Sequence, residues 1–204
     1  MHLLLIREIF TGLGVYRLLK RIHYNSPVIL TYAFLSLVVL IIGNITDMAS
    51  TRLLFSVYRG NLTDIFFYIR LFGHVLGHAD WNHFVNNFLI ILLVGPMLET
   101  KYGSKNMFHM ILITAVATGI LNVIFFDTAL LGASGVAFML IILSSFANIK
   151  KGSIPLTLLL VASLYLGREI VEGFTSSDNI SQFTHIAGGI CGGVFGFTLR
   201  SGKG

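Results

Sequence analysis

Six long apolar stretches constrain this chain of 204 residues more than any other feature. A helix needs about 20 mostly apolar residues to cross the hydrocarbon core of a bilayer, and most of these stretches approach that length. Only 11% of the residues are charged, whereas a soluble domain has about a quarter. The sequence therefore predicts an all-α membrane protein, a six-transmembrane-helix bundle with spans at residues 27–45, 82–100, 106–126, 134–149, 153–171 and 181–199.

The basic residues lie between the apolar stretches and not in one patch. Ten of the 14 Lys and Arg side chains fall on the side of the two termini and four on the other. Because cytoplasmic loops carry an excess of these residues, both termini are expected in the cytoplasm. The net charge of +5 then reflects membrane topology, and no nucleic-acid partner is expected.

The chain divides into an N-terminal segment and a core, within one membrane domain that covers residues 1–204. Residues 1–26 are expected to be cytoplasmic or interfacial, and residues 27–199 to form the six-span core. Residues 1–23 place their basic cluster after the apolar residues and have no small-residue cleavage site. This order favours an amphipathic helix at the membrane interface over a signal peptide.

Ser134 stands at the head of the short fourth stretch, within LGASGVAF. In one interpretation the serine caps the helix, because a side-chain oxygen at that position satisfies a free backbone N–H. In the other interpretation it is a nucleophile, and Gly132 and Gly135 give its Oγ room and expose backbone N–H groups to a reacting carbonyl. The motif GASG alone leaves both interpretations open.

A second polar segment, HVLGHADWNHFVNNF, leads into the second stretch. His83 and Asn87 are four residues apart and share one face of a helix. Two donors on one face can stabilise a developing negative charge, or they can serve as polar contacts between helices. His74 and His78 raise the possibility of a metal site, but no Cys accompanies them and Asp80 is the one nearby carboxylate. We expect no metal and no other cofactor.

The sixth stretch contains THIAGGICGGVFG, in which glycines recur at a four-residue spacing. Such a spacing lets a second helix approach very closely. If the partner is the fourth stretch, His185 comes within hydrogen-bond reach of Ser134. An imidazole can take the serine proton and return it to a leaving amine. The last stretch contains no acid, so a Ser–His pair without a carboxylate is the simplest arrangement.

The motifs HFVNN, ETKYGS, GASG and HIAGG, in this order and on these stretches, resemble those of rhomboid intramembrane serine proteases. The resemblance covers about the whole six-span core. It implies that Ser134 is the nucleophile and His185 the general base. It also implies that His83, Asn87 and the backbone N–H of Ser134 bind the oxyanion.

The resemblance implies supporting roles and a cellular setting as well. His74 and His78 are expected to support the outer loop and the hydration of the site, and Glu99 to have a structural role at the cytoplasmic end of the second span. The substrates are expected to be single-span membrane proteins in the lipid bilayer. The membrane is expected to be the plasma (inner) membrane of a prokaryote, with the site open to the non-cytoplasmic side. The fifth span and residues 172–180 are candidates for a substrate gate.

The sequence departs from the family pattern at two positions. Phe138 stands where some members have a tyrosine that packs against the catalytic histidine, so a ring stack is expected without a hydroxyl contact. The family often has Trp-Arg in the outer loop, where this chain has Ile69 and Arg70. Anchoring of that loop is therefore harder to predict than the Ser–His pair.

Two other functions are compatible with a chain of this kind. A catalytically inactive rhomboid-like protein that binds membrane clients would be expected to lack the serine or the histidine. A small transporter would need ionisable residues near the middle of the membrane, for which His109 in the third span is the one candidate.

Overall fold

The computed structural model describes residues 23–146 and 179–201, together with scattered helical positions between 156 and 167. In this part of the chain the regular structure is helical, with one isolated antiparallel bridge, so the predicted all-α class is confirmed. The helices are α1 (Pro27–Ile45), α2 (Ala49–Leu54), α3 (Ile65–Gly73, followed by a 3₁₀ turn at His74–Leu76), α4 (Trp81–Tyr102), α5 (Ser104–Phe125), α6 (Ser134–Ser145) and α7 (Asn179–Ser201).

The helix boundaries follow the predicted spans closely. α1 begins and ends at the predicted residues, and α4 and α5 differ from the prediction by one or two residues at each end. α6 ends at Ser145 and is shorter than predicted. Among the described residues, three helices (α1, α4 and α5) are long and apolar enough to cross a membrane. The six-span count and the cytoplasmic termini stay predictions.

Three predicted features fall outside the described residues or largely outside them. These are the amphipathic helix at residues 1–23, the fifth span at 153–171 and the gate at 172–180.

The carboxylate of Glu99, near the end of α4, fixes the beginning of α1. Its two oxygens accept the backbone N–H groups of Val28 and Ile29, each at 3.0 Å, and the Ser104 hydroxyl donates to it at 2.7 Å. The first N–H groups of a helix have no acceptor within the helix, and a negative charge there is favourable. Glu99 therefore joins α1, α4 and α5 at the end of the bundle that is predicted to be cytoplasmic.

The connection between α1 and α4, which contains α2 and α3, is anchored by a buried arginine. Arg70 is 3% exposed, its guanidinium lies 4.4 Å from the centroid of the Tyr58 ring, and Nη2 contacts Asp64 Oδ2 at 3.3 Å. Asp64 also caps α3 by accepting the N–H of Phe66. Ile69, where the family often has tryptophan, is exposed. The arginine thus anchors this connection without an adjacent tryptophan.

α7 packs mainly against α6, and glycines allow their backbones to touch. The Cα of Gly188 lies against the carbonyl of Gly135, and the Cα of Gly192 lies against the carbonyl of Met139. A methyl group at either α7 glycine would overlap the α6 backbone. The predicted close approach of a second helix to the sixth span is therefore present, and the partner, which the sequence left open, is the fourth span.

His109, the histidine on which a transport path would depend, lies near the beginning of α5 and is exposed. It is six residues into a helix of 22 residues, and its ring contacts Phe108. A helix rises about 1.5 Å per residue, so the imidazole is not near the middle of the span. His109 therefore does not have the depth that the transporter alternative requires.

Candidate active site

Ser134 is the first helical residue of α6, and it does not cap the helix. The N-cap position belongs to Ala133, and no side chain makes a capping hydrogen bond there. The capping interpretation of Ser134 is therefore wrong. The first four N–H groups of a helix have no acceptor within the helix, and the N-terminus attracts negative charge. Ser134 thus brings a hydroxyl and a set of available backbone donors to one point.

Gly132, two residues before Ser134, brings the preceding loop into contact with α4. Its φ of +125° is a conformation that residues with a side chain rarely adopt. A methyl group on Gly132 would lie 2.6 Å from Nε2 of His83 and 3.9 Å from Nδ2 of Asn87. The structure therefore brings the two α4 side chains together on one face, as predicted, and places that face against GASG.

The position and the proton of His83 are set by its neighbours at the start of α4. The Asp80 carboxylate caps the helix by accepting the His83 backbone N–H at 2.8 Å. The ring Nδ1 of His83 faces the Ala79 N–H at 3.5 Å, a long contact in which the imidazole nitrogen is the acceptor. This contact favours the tautomer that carries its proton on Nε2, the atom that faces Gly132.

His185 lies beside the first turns of α6. Its ring stacks on that of Phe138, with the centroids 3.9 Å apart and the planes 13° from parallel, so the predicted ring stack is present. Thr184, the preceding residue, contacts Gly135, and a methyl group on that glycine would lie 3.3 Å from Thr184 Cγ2. The His185 ring is also close enough to His83 for a charge on one imidazole to affect the other. The structure thus brings the predicted base, the head of α6 and the α4 donors to one end of the bundle.

The other two histidines lie on different sides of this cluster. His74 is buried and donates its Nε2–H to the Ala115 carbonyl at 2.9 Å. This bond holds the connection between α1 and α4, called the outer connection, against α5. The His78 ring lies 5.0 Å from that of His83 and donates its Nδ1–H to Leu76. Burial, and then the nearby charge of His83, lower the pKa of His78 to about 4, so this residue is neutral at pH 7. Within the described residues, no three His, Cys, Asp or Glu side chains are grouped as metal ligands.

A stripe of polar residues on α5 was missed by the sequence analysis. Thr114, Thr118 and Asn122 recur every four residues and are all buried. Thr118 lies against Gly135, since a methyl group on that glycine would be 3.1 Å from Thr118 Cγ2. The four-residue spacing would have shown that one face of α5 packs against protein and not against lipid.

A comparison with known protein families finds a match that covers these elements. The Rhomboid domain family matches residues 66–202, which include nearly all of α3, all of α4 to α7 and every residue of the site described above. The match covers more than half of the chain and leaves α1 outside it. None of the curated proteins matches the chain.

Proposed function

This chain belongs to the rhomboid family, and we propose that it is an intramembrane serine endopeptidase that hydrolyses peptide bonds in or next to transmembrane segments. The family generally comprises serine proteases of the membrane, and it also has inactive members. The observation that carries the proposal is the position of His185. Its ring stacks on Phe138, which lies one turn after Ser134, and Ser134 does not cap its helix. A serine, a base and a cluster of donors at one point are what acyl transfer requires.

In the proposed mechanism, Ser134 Oγ attacks the carbonyl carbon of the scissile bond while the imidazole of His185 takes the hydroxyl proton. The tetrahedral intermediate collapses when His185 returns this proton to the leaving amine, which leaves an acyl-enzyme. A water molecule then attacks the ester carbonyl, and His185 again takes the proton and returns it to Ser134 Oγ. The products are a new carboxylate end and a new amino end.

The developing negative charge on the carbonyl oxygen would be held by donors from two helices. α4 contributes Nε2–H of His83 and the amide Nδ2 of Asn87, and α6 contributes the backbone N–H of Ser134. The position of both α4 side chains beside Gly132 supports this role, because that glycine is two residues from the nucleophile. Donors fixed in a water-poor site act most strongly on charge that appears only in the transition state.

A Ser–His pair without a carboxylate is consistent with the surroundings of the base. The sequence of α7 contains no Asp or Glu, and the Asp80 carboxylate is engaged in capping α4. The ring stack on Phe138 restricts rotation of the imidazole, which is the orienting role that a third residue performs in a triad. We therefore propose that the stack on Phe138 contributes to the orientation of His185.

The protein is an integral membrane protein, as its family and its apolar helices indicate. The proposal further places it in a prokaryotic plasma membrane with the site open to the non-cytoplasmic side. A transmembrane substrate must expose a backbone carbonyl, and an intact helix keeps its carbonyls hydrogen-bonded. The expected substrates are thus single-span proteins whose helix is locally unwound by small or helix-breaking residues.

The test is cleavage of a single-span substrate by the full chain in liposomes. Ser134→Ala and His185→Ala should each lower cleavage by about a thousandfold or more. Ser144→Ala is the matched control, because this serine lies on the same helix and donates to the Ile141 carbonyl at 2.7 Å. Cleavage at the normal rate by the Ser134→Ala variant would end the assignment, and so would an inactive wild-type protein that is correctly inserted.

A further inference from the structure

The loop that leads into Ser134 is attached to the outer connection by a short pairing of backbones. This loop, residues 126–133, is called the α5–α6 loop below. The N–H of Val57 donates to the Leu130 carbonyl at 2.9 Å, and the N–H of Leu130 donates to the Val57 carbonyl at 2.8 Å. Val57 is completely buried. The stretch after α2 and the α5–α6 loop therefore form one unit.

Arg59 adds a side-chain attachment at the beginning of the same loop. Its Nε donates to the Val123 carbonyl at 3.0 Å, its Nη2 donates to the Ile124 carbonyl at 3.1 Å, and its Nη1 pairs with Asp127. Val123 and Ile124 belong to the last turn of α5, where carbonyls have no donor within the helix and a cation is favourable. One guanidinium therefore joins the end of α5 and the α5–α6 loop to the outer connection.

The far end of the loop is attached at the candidate site. The N–H of Gly132 donates to the His74 carbonyl at 3.0 Å, and Gly132 lies against the His83 ring. The distance between the Ser134 backbone and the α4 donors is thus set by a loop that is held at both ends. Loss of the Arg59 contacts should loosen the beginning of the loop, while the Val57–Leu130 pair and the Asn122 bond to the Thr128 carbonyl still hold its middle.

We infer that Arg59 is a positioning residue for peptide-bond hydrolysis. By tying the end of α5, where the α5–α6 loop begins, to the stretch after α2, it keeps the Ser134 N–H aligned with the His83 and Asn87 donors when the oxyanion forms. This inference rests on the proposed function. The oxyanion exists in the transition state and not in the bound substrate, so misalignment lowers kcat and leaves KM nearly unchanged.

The three contacts of Arg59 do not contribute equally. The side chains of Arg59 and Asp127 are 53% and 80% exposed, and exposed ion pairs contribute little. The same guanidinium makes the two bonds to the α5 carbonyls, and these are expected to contribute more than the ion pair because carbonyls in the last turn of a helix have no other donor within it. A guanidinium reaches both carbonyls with separate nitrogens, whereas a lysine has a single nitrogen. The expected order of damage is Arg59→Ala, then Arg59→Lys, then Asp127→Asn.

The experiment measures kcat and KM for a single-span substrate in liposomes, with kcat expressed per molecule that a fluorophosphonate can titrate. Arg59→Ala should lower kcat by roughly tenfold, because a small misplacement of catalytic groups has a large effect. Its KM should stay within about twofold, Arg59→Lys should recover part of the rate, and Asp127→Asn should be within about twofold of wild type. Arg52→Ala is the control, since this exposed arginine lines the same pocket as Arg59, a cavity of about 660 Å³, and makes none of the contacts to α5 described for Arg59.

Two results would overturn the positioning role. One is an Arg59→Ala variant whose kcat per titrated molecule equals that of wild type, whether or not fewer molecules fold. The other is an equal loss of rate in the Arg52→Ala control. If Arg59→Ala does not insert into the membrane, Arg59→Lys decides by the same criterion. In each case Ser134→Ala remains inactive if the proposed function is right, so the two failures are distinguishable.

Discussion

Asn87 and Glu99 are buried polar residues on the same helix, α4, and their surroundings differ completely. Glu99 is 3% exposed and accepts two backbone N–H groups and a hydroxyl. Asn87 is 7% exposed, and its Nδ2 has no hydrogen-bond partner among the described residues. The buried carboxylate near one end of α4 has hydrogen-bond partners within the protein, whereas the buried amide near the other end keeps a donor available.

The available donor of Asn87 fits the proposed oxyanion role, although buried polar atoms without a partner also occur at other positions that the structure describes, for example Ser36 Oγ on α1. A buried donor without a partner is unfavourable, so its presence requires an explanation. Beside Asn87, Gly132 has a left-handed backbone and the Nε2 of the neighbouring His78 also has no partner in the described part of the chain. Several unfavourable features at one point are expected where a site binds something that the free protein lacks.

Of the changes that test this comparison, the largest effect is expected from removing the available donor. Asn87→Ala should lower kcat by about a hundredfold, because it removes a contact made only in the transition state. The free energy of unfolding should change little, since the Nδ2 donor has no protein partner to lose. Steady-state kinetics and thermal unfolding of the same preparation measure both quantities. An Asn87→Ala variant that loses stability and keeps its kcat would show that the amide is structural.

The opposite pattern is expected at the other end of α4. Glu99→Ala should destabilise the protein by about 3 kcal/mol, because two buried N–H groups of α1 lose their acceptor. The kcat per titrated molecule should stay within about twofold, since Glu99 is far from the site along a helix that rises about 1.5 Å per residue. Glu99→Gln retains one acceptor and should be less destabilised. Equal unfolding temperatures for Glu99→Ala and wild type would contradict the capping role.

Acidification should lower the stability of the folded protein through the buried imidazole of His78. The pKa of His78 is about 4 in the folded protein and 6.5 in the unfolded chain, so the unfolded chain binds more protons between these values. The contribution of His78 to the free energy of unfolding is therefore complete above pH 6.5 and is lost as the pH falls towards 4. It amounts to at most about 3 kcal/mol. His78→Phe should reduce the slope of stability against pH in this window. An unchanged slope in that variant would assign the acid sensitivity to other groups.

The smallest expected effect comes from the ring stack. Phe138→Leu should lower kcat by about threefold to tenfold, because a stacked ring pair contributes about 0.5–1.5 kcal/mol beyond its buried area. Phe138→Tyr retains the stack and should keep most of the rate. Cleavage assays with the two variants measure this difference. Equal rates for Phe138→Leu and wild type would show that something other than the stack orients His185.

The sequence predicted the features that the membrane itself imposes. The boundaries of α1, α4 and α5 followed from apolar length, because a span must match the thickness of the bilayer. The common face of His83 and Asn87 and the close approach of a second helix to α7 followed from a four-residue spacing, whereas the identity of that helix did not. Such patterns are local, so they can be read from one stretch of chain.

Contacts between distant segments could not be predicted in this way. Arg59 and Val123 are 64 residues apart, and no periodicity connects a loop arginine to the end of a helix. The sequence of GASG left the role of Ser134 open, because the choice depends on whether the hydroxyl oxygen accepts a hydrogen bond from a backbone N–H. The structure places the N-cap at Ala133, which rules out the capping interpretation and leaves the nucleophile as a proposal.

The central claim is that the Ser134 hydroxyl is activated by His185. The most direct measurement is the rate of phosphonylation by a fluorophosphonate, followed by mass spectrometry of the labelled site. The account predicts one label per molecule at Ser134 in wild type and in the Ser144→Ala control, and none in Ser134→Ala. It also predicts labelling at least about a hundredfold slower in His185→Ala, because the general base is lost. A label that persists in Ser134→Ala, or equal rates with and without His185, would contradict it.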